Sequence, residues 1–213
     1  MRLRAVVPCH SRAPSPALLD AIAAHVSDVL VVDDGLPGSE RARLDGAAVL
    51  WLGGNHGKGT AVARGAAAAL ADGFDAVLVI DGDGQHPPSA IPAFVAAGEG
   101  PAELVIGDRF GDLRGIPLER RLANVAAAAG MTVAARRRVR DTQCGMRLIR
   151  GRALVEVPPP EGGFEAETAH LKRCLRARVP VAWVPIPAIY EGEPSAFRPL
   201  RDGARIARAL ASR

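Results

Sequence analysis

Aromatic side chains are scarce in this chain, at eight of 213 residues. That leaves little from which to build the interleaved stacking platforms that hold single-stranded bases, and no zinc-finger or RNA-recognition signature accompanies its basic charge. Nucleic acid is therefore not expected as a partner. Lysine is scarcer still: Lys58 and Lys172 are the two lysines among 27 basic residues. The three cysteines, Cys9, Cys144 and Cys174, are odd in number and form no Cys-x-x-Cys pair. A disulfide framework and a zinc site are both disfavoured, and three buried free thiols are expected. No His-x-x-x-His spacing offers an alternative zinc site. Long hydrophobic runs are also missing. The longest, residues 122–135, contains Asn124 and is flanked by Arg121 and Arg136, whereas a spanning helix needs about 20 apolar residues. The opening Met1-Arg2-Leu3-Arg4 leads into no apolar core of a signal peptide. A cytoplasmic location is expected.

What is present fits one globular domain over residues 1–213. Hydrophobic residues make up 48% and charged residues 23%, a balance that supplies a core without approaching disorder or a membrane composition. The net charge of +4 suits partners that carry phosphate or an anionic surface.

Short aliphatic runs at 3–7, 29–32, 48–52, 76–80 and 104–107 are each closed by Pro, Asp or Gly and read as buried strands. Helix-like stretches lie between them at 16–25, 58–71 and 88–97, and a long one is expected over 117–139. A strand at 146–149, a helix at about 164–178, a strand at 181–186 and a basic helix at about 199–211 complete the pattern. Alternation of strand and helix predicts an α/β fold with a mostly parallel sheet and helices on both faces, because parallel strands need crossover connections.

In such sheets ligands bind beyond the carboxyl ends of the strands, and there this sequence is polar each time. The first strand leads to Pro8-Cys9-His10 and the second to Asp33-Asp34-Gly35. The third leads to Gly53-Gly54-Asn55-His56-Gly57-Lys58-Gly59, and the fourth to Asp81-Gly82-Asp83-Gly84-Gln85-His86. If the chain stays extended, Asp81 and Asp83 project to the same side and repel unless a cation lies between them. Carboxylate and amide oxygens suit Mg²⁺ or Mn²⁺, ions that share their shell with substrate phosphates. The same residues also read as a turn ahead of a helix at Pro88. Asp33-Asp34-Gly35 reads equally as a turn or as an acceptor for a base N–H. The Gly57-Lys58-Gly59 stretch is not a phosphate loop, since Leu52 stands where the first Gly is required and Gly59 follows the lysine.

Six elements in register carry a resemblance. They are Val6-Val7-Pro8, Val31-Val32-Asp33-Asp34-Gly35, Asn55-x-Gly57-Lys58-Gly59, Asp81-x-Asp83-x-Gln85-His86-Pro87-Pro88, Val105-Ile106-Gly107-x-Arg109-Phe110, and Asp141-Thr142-Gln143-Cys144-Gly145-Met146-Arg147. In order and spacing the chain resembles family 2 glycosyltransferases. Within that family it is most similar to the branch of dolichyl-phosphate mannosyltransferases and polyprenyl-phosphate glycosyltransferases. The resemblance implies a GT-A fold, a nucleotide diphosphate sugar (UDP- or GDP-sugar) as donor and a divalent ion as cofactor. It implies that Pro8, His10, Val32 and Asp34 hold base and ribose, that Asp81 and Gly82 contact the nucleotide, and that Asp83 and Gln85 ligate the metal. Arg109 and Arg198 are implied at the donor phosphates. The branch usually carries Tyr-Asn-Glu where this chain has His10-Ser11-Arg12.

The resemblance further implies transfer with inversion, and a polyprenyl phosphate is among the acceptors. An anionic phosphate acceptor needs no base, whereas a hydroxyl acceptor needs one, for which Asp141, Glu165 and Glu167 are the candidates. A lipid acceptor would require peripheral contact with the inner face of a membrane. Arg136-Arg137-Arg138-Val139-Arg140 or the basic terminal helix could supply that contact. Two other readings are a sugar-1-phosphate nucleotidyltransferase and an inactive sugar-nucleotide-binding protein. The first would place a Gly-rich basic loop after the first strand, but residues 8–16 contain no Gly. The second has no need of a metal clamp.

Overall fold

The structure is a computed structural model, and it describes residues 1–111 and 118–189 together with position 208. Its strands are β1 (Leu3–Cys9), β2 (Val29–Asp33), β3 (Ala48–Trp51), β4 (Ala76–Val79), β5 (Leu104–Asp108), β6 (Arg147–Arg150) and β7 (Val181–Pro185). Its helices are α1 (Pro16–Ala23), α2 (Gly38–Arg41), α3 (Lys58–Ala71), α4 (Ile91–Glu99), α5 (Leu118–Ala135), α6 (Gly151–Val155) and α7 (Glu165–Arg176). Arg198 and almost all of the expected basic helix over 199–211 lie outside the described residues; position 208 is helical.

Local chemistry accounts for several boundaries. Ser15 caps α1, its hydroxyl accepting from the Leu18 amide at 3.2 Å, and Pro16 fills the first helical position where no amide is needed. The helix expected from Pro88 begins instead as a 3₁₀ turn over Pro88–Ala90, and α4 starts at Ile91. Pro92 has no amide to return to the Pro88 carbonyl, so an α-helical first turn cannot close there. The long helix stops at Ala135 rather than running to 139. Arg136 takes a positive φ of 51°, and Val139 turns back to donate its amide to Thr132 Oγ1 at 3.0 Å.

One seven-stranded sheet runs in the order β3-β2-β1-β4-β6-β5-β7. β1 pairs in parallel with β2 and β4, β2 with β3, and β5 with β7. β6 alone is reversed, antiparallel to both β4 and β5. That reversal positions the site, because the segment entering β6, residues 141–146, arrives at the edge where the other six strands leave.

Both sheet faces are covered. Val6, Val79 and Arg147 are register partners and share one face. On that face Gly65 of α3 rests against Val6 and Val32, and Arg147 reaches the Glu167 carbonyl on α7. Ala5, Leu78 and Leu148 share the other face, where Gly98 of α4 packs against Leu148. The core between these layers includes Ile22, Leu78, Ile80, Ile91, Phe94, Leu104, Ile106 and Leu148, all fully buried. Cys9, Cys144 and Cys174 are buried free thiols as expected, and burial pushes each up to about 12. Among the described residues no helix is long and apolar enough to cross a membrane.

Candidate active site

The segments that follow β1, β2, β3, β4 and β5, together with the one that enters β6, gather along a single edge of the sheet. At its middle lies an ion cluster. Lys58, the first residue of α3, places Nζ 2.8 Å from Asp81 Oδ2 and 2.8 Å from Glu167 Oε1 on α7. Burial works against the ammonium, but the two carboxylates outweigh it and raise the Lys58 pKa. Burial likewise pushes Asp81 up, and the Lys58 charge holds its carboxyl below the usual range. The other oxygen, Asp81 Oδ1, is buried and accepts no hydrogen bond, a costly state for a carboxylate unless a ligand or cation completes it.

Asp83 lies beside this cluster in a turn rather than in an extended segment, because the chain bends after Asp81 and Gly84 takes a positive φ. The expected strand-like alternation of Asp81 and Asp83 is thus corrected, although the two carboxylates still repel. Burial first, and then the Asp81 charge, raise the Asp83 pKa. Its Oδ1 accepts the Gln85 amide at 3.0 Å, so the turn fixes the loop that carries both expected metal ligands. Among the described residues no group of three or more His, Cys, Asp or Glu could hold a metal ion. The donor set fits Mg²⁺ or Mn²⁺ as a partial shell of exposed Asp83, Gln85 and the unpartnered Asp81 oxygen, which phosphate and water oxygens would complete. His86 is buried and its pKa falls for that reason, with Asp81 opposing. It stays neutral, accepting the Asp81 amide on Nδ1 at 3.4 Å and facing Cys144 Sγ with Nε2 at 3.9 Å.

Arg109 follows β5 and grips Asp141 with two bonds, Nε to Oδ2 at 2.7 Å and Nη2 to Oδ1 at 3.0 Å. Asp141 is fully buried, and although burial pushes its carboxyl up, Arg109 and the Gln143 amide hold it low. The expected role of Asp141 as a base is corrected on this ground. A sealed, arginine-paired carboxylate positions its partner instead of collecting a proton. Arg147, 3% exposed, donates to the carbonyls of Cys144, Thr142 and Glu167 at 2.8, 3.0 and 2.7 Å. It thereby pins the segment before β6 to α7. Gly145 in that segment lies over the ion cluster so closely that a Cβ there would sit 2.4 Å from Asp81 Oδ2 and 2.7 Å from Lys58 Nζ.

Around the β1 and β2 ends the expected contacts divide into two kinds. Asp34 is 2% exposed, and its two oxygens already accept the amides of His56 and Gly57 at 2.7 and 2.9 Å. Asp34 thus tethers the loop that presents Lys58. Asp33 is used similarly, on the amides of Gly35 and Leu36 and on Arg41. Val32 is fully buried beneath α3 and Pro8 is its buried register partner, so both form wall rather than contact surface. His10 is exposed, with Nδ1 donating to the Asp34 carbonyl at 2.8 Å and Nε2 accepting from Asn55 at 3.1 Å. Gly82 approaches the Pro8 carbonyl, which a Cβ would meet at 3.3 Å.

Of the remaining expected bases, Glu167 is committed to Lys58. Glu165 accepts the Gly163 amide on Oε1 at 3.1 Å while its Oε2 is buried without a partner. Sequence reasoning missed Lys58, His86, Gly145 and Arg147 as site residues. The signal for Lys58 was its rarity in an arginine-dominated chain, in a Gly-Lys-Gly stretch after a strand.

A family model described as "Glycosyl transferase family 2" matches residues 5–156. The chain belongs to glycosyltransferase family 2. It is 27% identical over 187 residues to Glycosyltransferase AglJ of Haloferax volcanii, an alignment that takes in 83% of this chain and 59% of that protein. The chain thus spans about three fifths of the length of the curated relative it matches. Mannosyl-3-phosphoglycerate synthase from Rubrobacter xylanophilus superposes with a TM-score of 0.76 at 20% identity, covering 99% of this chain and 73% of that one. Glucosyl-3-phosphoglycerate synthase from Mycobacterium tuberculosis, solved with Mn²⁺, UDP-glucose and phosphoglyceric acid, gives 0.70 at 22% identity, covering 98% and 77%. These likenesses establish the GT-A-like α/β fold.

Proposed function

We propose that this chain, as a single domain, transfers a sugar from a nucleotide diphosphate sugar to a phosphate-bearing acceptor, with the donor lying along the carboxyl edge of the sheet. The observation that carries the reading is the unpartnered, buried Asp81 Oδ1, on the carboxylate that Lys58 pairs and two residues before Asp83. A departing diphosphate develops negative charge, and this edge concentrates what offsets it: Lys58, Arg109, and a carboxylate pair suited to a divalent ion. Asp81 and Gly82 would contact the nucleotide, with His10 exposed at the base end and Pro8 and Val32 behind it; Asp83 and Gln85 would hold Mg²⁺ or Mn²⁺. When bound, that ion supplies charge neutralisation on the phosphate oxygens.

An acceptor phosphate supports direct displacement with inversion, since no base is required, and two of the three candidate bases, Asp141 and Glu167, are already paired. The solved M. tuberculosis relative holds phosphoglyceric acid, a phosphate-bearing molecule, beside UDP-glucose. The Gln85-His86-Pro87-Pro88 and Asp141-Thr142-Gln143-Cys144-Gly145 elements favour a polyprenyl phosphate here, met at the cytoplasmic face of a membrane. A thermal-shift panel of UDP, GDP and their sugars, with and without Mn²⁺, tests the reading. A metal-dependent rise in Tm with one nucleotide is expected, and no rise with any of them overturns it.

A further inference from the structure

The outer face of α5 has a composition that contact with water does not call for. Its exposed residues over 124–135 are Val125, Ala126, Ala129, Gly130, Val133 and Ala134, and Val133 is 79% and Val125 50% exposed. Spacings of three and four place these residues along one side, while Asn124, Ala127, Ala128 and Met131 are buried on the other. A surface helix ordinarily presents charged and polar side chains outward. Among the described residues after Arg121 none interrupts the exposed face, and Arg136, Arg137 and Arg138, all exposed, follow the end of the helix at Ala135.

Charge decides what covers this face. Two copies packed across it in parallel would bring their arginine triplets together. Packed antiparallel, they would set Arg121 of each against the triplet of the other, and like charges opposed across an interface count against association. An anionic bilayer meets both features at once, the apolar face at the headgroup boundary and the arginines at lipid phosphates. The placement is tied to the site. Thr132 in the last turn of α5 is hydrogen-bonded to the Val139 amide, two residues before Asp141, which holds Arg109.

We propose that the exposed face of α5 docks this chain on an anionic lipid surface, with Val125 and Val133 entering the headgroup boundary and Arg136, Arg137 and Arg138 paired with lipid phosphates. The inference rests on the reading that the acceptor is a lipid phosphate. Vesicle co-sedimentation of the full chain tests it, using phosphatidylcholine alone and phosphatidylcholine with phosphatidylglycerol, at low and high salt. Binding to the anionic vesicles alone, weakened by salt, is the expected result. Each arginine near such a surface is worth about fivefold in partitioning, so the double variant Arg137→Gln/Arg138→Gln should bind roughly thirtyfold more weakly. Val133→Asp should also lose binding, and both variants should keep the wild-type Tm and nucleotide-induced shift. Equal binding to neutral vesicles, or unchanged binding by both variants, overturns docking. So does a dimer in sedimentation velocity that Val133→Asp dissolves. A wild-type chain that binds vesicles but shows no nucleotide shift would remove the donor reading and leave docking in place.

Discussion

Lys58 Nζ sits 2.8 Å from Asp81 Oδ2, and the lysine opens a helix while the aspartate closes a strand. Because the same ammonium also meets Glu167 at 2.8 Å, removing it leaves two carboxylates facing each other in a mostly buried space. Lys58→Met should cost about 3 kcal/mol in urea unfolding, the low end for a broken buried pair because some solvent reaches it. Nucleotide affinity should fall with it. Glu167→Gln, which keeps an acceptor and removes one charge, should cost less than half as much. Equal stability of Lys58→Met and wild type would show that the cluster contributes nothing to the fold.

Partial desolvation of its carboxylate and the Asp81 charge raise the Asp83 pKa, and Asp83 binds a cation only once it has lost its proton. Metal-dependent nucleotide binding should therefore strengthen as pH rises through and beyond the usual carboxylate range. Asp83→Asn should abolish the metal dependence and leave Tm without ligand unchanged or slightly raised, since a repulsion is relieved. Isothermal titration with Mn²⁺ and with excess chelator reads both outcomes, and a chelator-insensitive wild type would contradict them.

Arg109 and Asp141 form a two-bond clasp in which the aspartate has no exposed surface. Lysine can reproduce one of those bonds and none of the planar geometry. Arg109→Lys should lower nucleotide diphosphate affinity by about tenfold, the equivalent of about 1.4 kcal/mol. In a double-mutant cycle with Asp141→Asn the pair should show a coupling of about 2 kcal/mol. Independent, additive effects of the two substitutions would mean that the clasp does not act as a unit.

The strands were legible in the sequence because each is a short aliphatic run ended by a polar stop, and the carboxyl-edge rule then led to Asp81 and Asp83, whereas Arg109 came from the resemblance to family 2 glycosyltransferases. The direction of β6 was not legible, since Arg147–Arg150 is too short for its neighbours to be read from pattern alone. Arg147 went unnoticed for a related reason: its role depends on three carbonyls that lie up to 20 residues away. A carboxylate at a strand end such as Asp34 reads as a ligand contact, and only the folded chain reveals that it also holds two loop amides.

His170 on α7 provides a pH test remote from the site. It is 2% exposed, donating Nε2–H to the carbonyls of Val157 and Ala153 at 2.8 and 3.2 Å, and burial first, then Arg147, lower its pKa to about 4. The unfolded chain takes up this proton near the ordinary histidine value while the folded chain does not. Stability is thus fully present above that value and is lost as pH falls toward about 4. Between about pH 7 and pH 5 this one group should remove about 2 kcal/mol. His170→Gln keeps a donor but cannot titrate, so its stability should decline less over that interval. Parallel pH curves for the two proteins, from urea unfolding, would contradict the assignment.

Gly145 is a demanding position at the site, because its place over the Lys58–Asp81 pair leaves no room for even a methyl group. A Cβ would lie 2.4 Å from Asp81 Oδ2 and 2.7 Å from Lys58 Nζ, with the Asp81 carboxylate carbon at 2.9 Å, so either the ion pair opens or the segment before β6 lifts. The segment is anchored by Arg147 through the Cys144 and Thr142 carbonyls, which makes opening the ion pair the easier response. Gly145→Ala should then lower stability by about 1–3 kcal/mol, as overpacking does, and weaken metal-dependent nucleotide binding along with it. Lys58→Met in the same chain removes the amine that the methyl group would strike. The double variant should accordingly lose less than the sum of the two single losses, and strictly additive losses would place Gly145 away from the cluster.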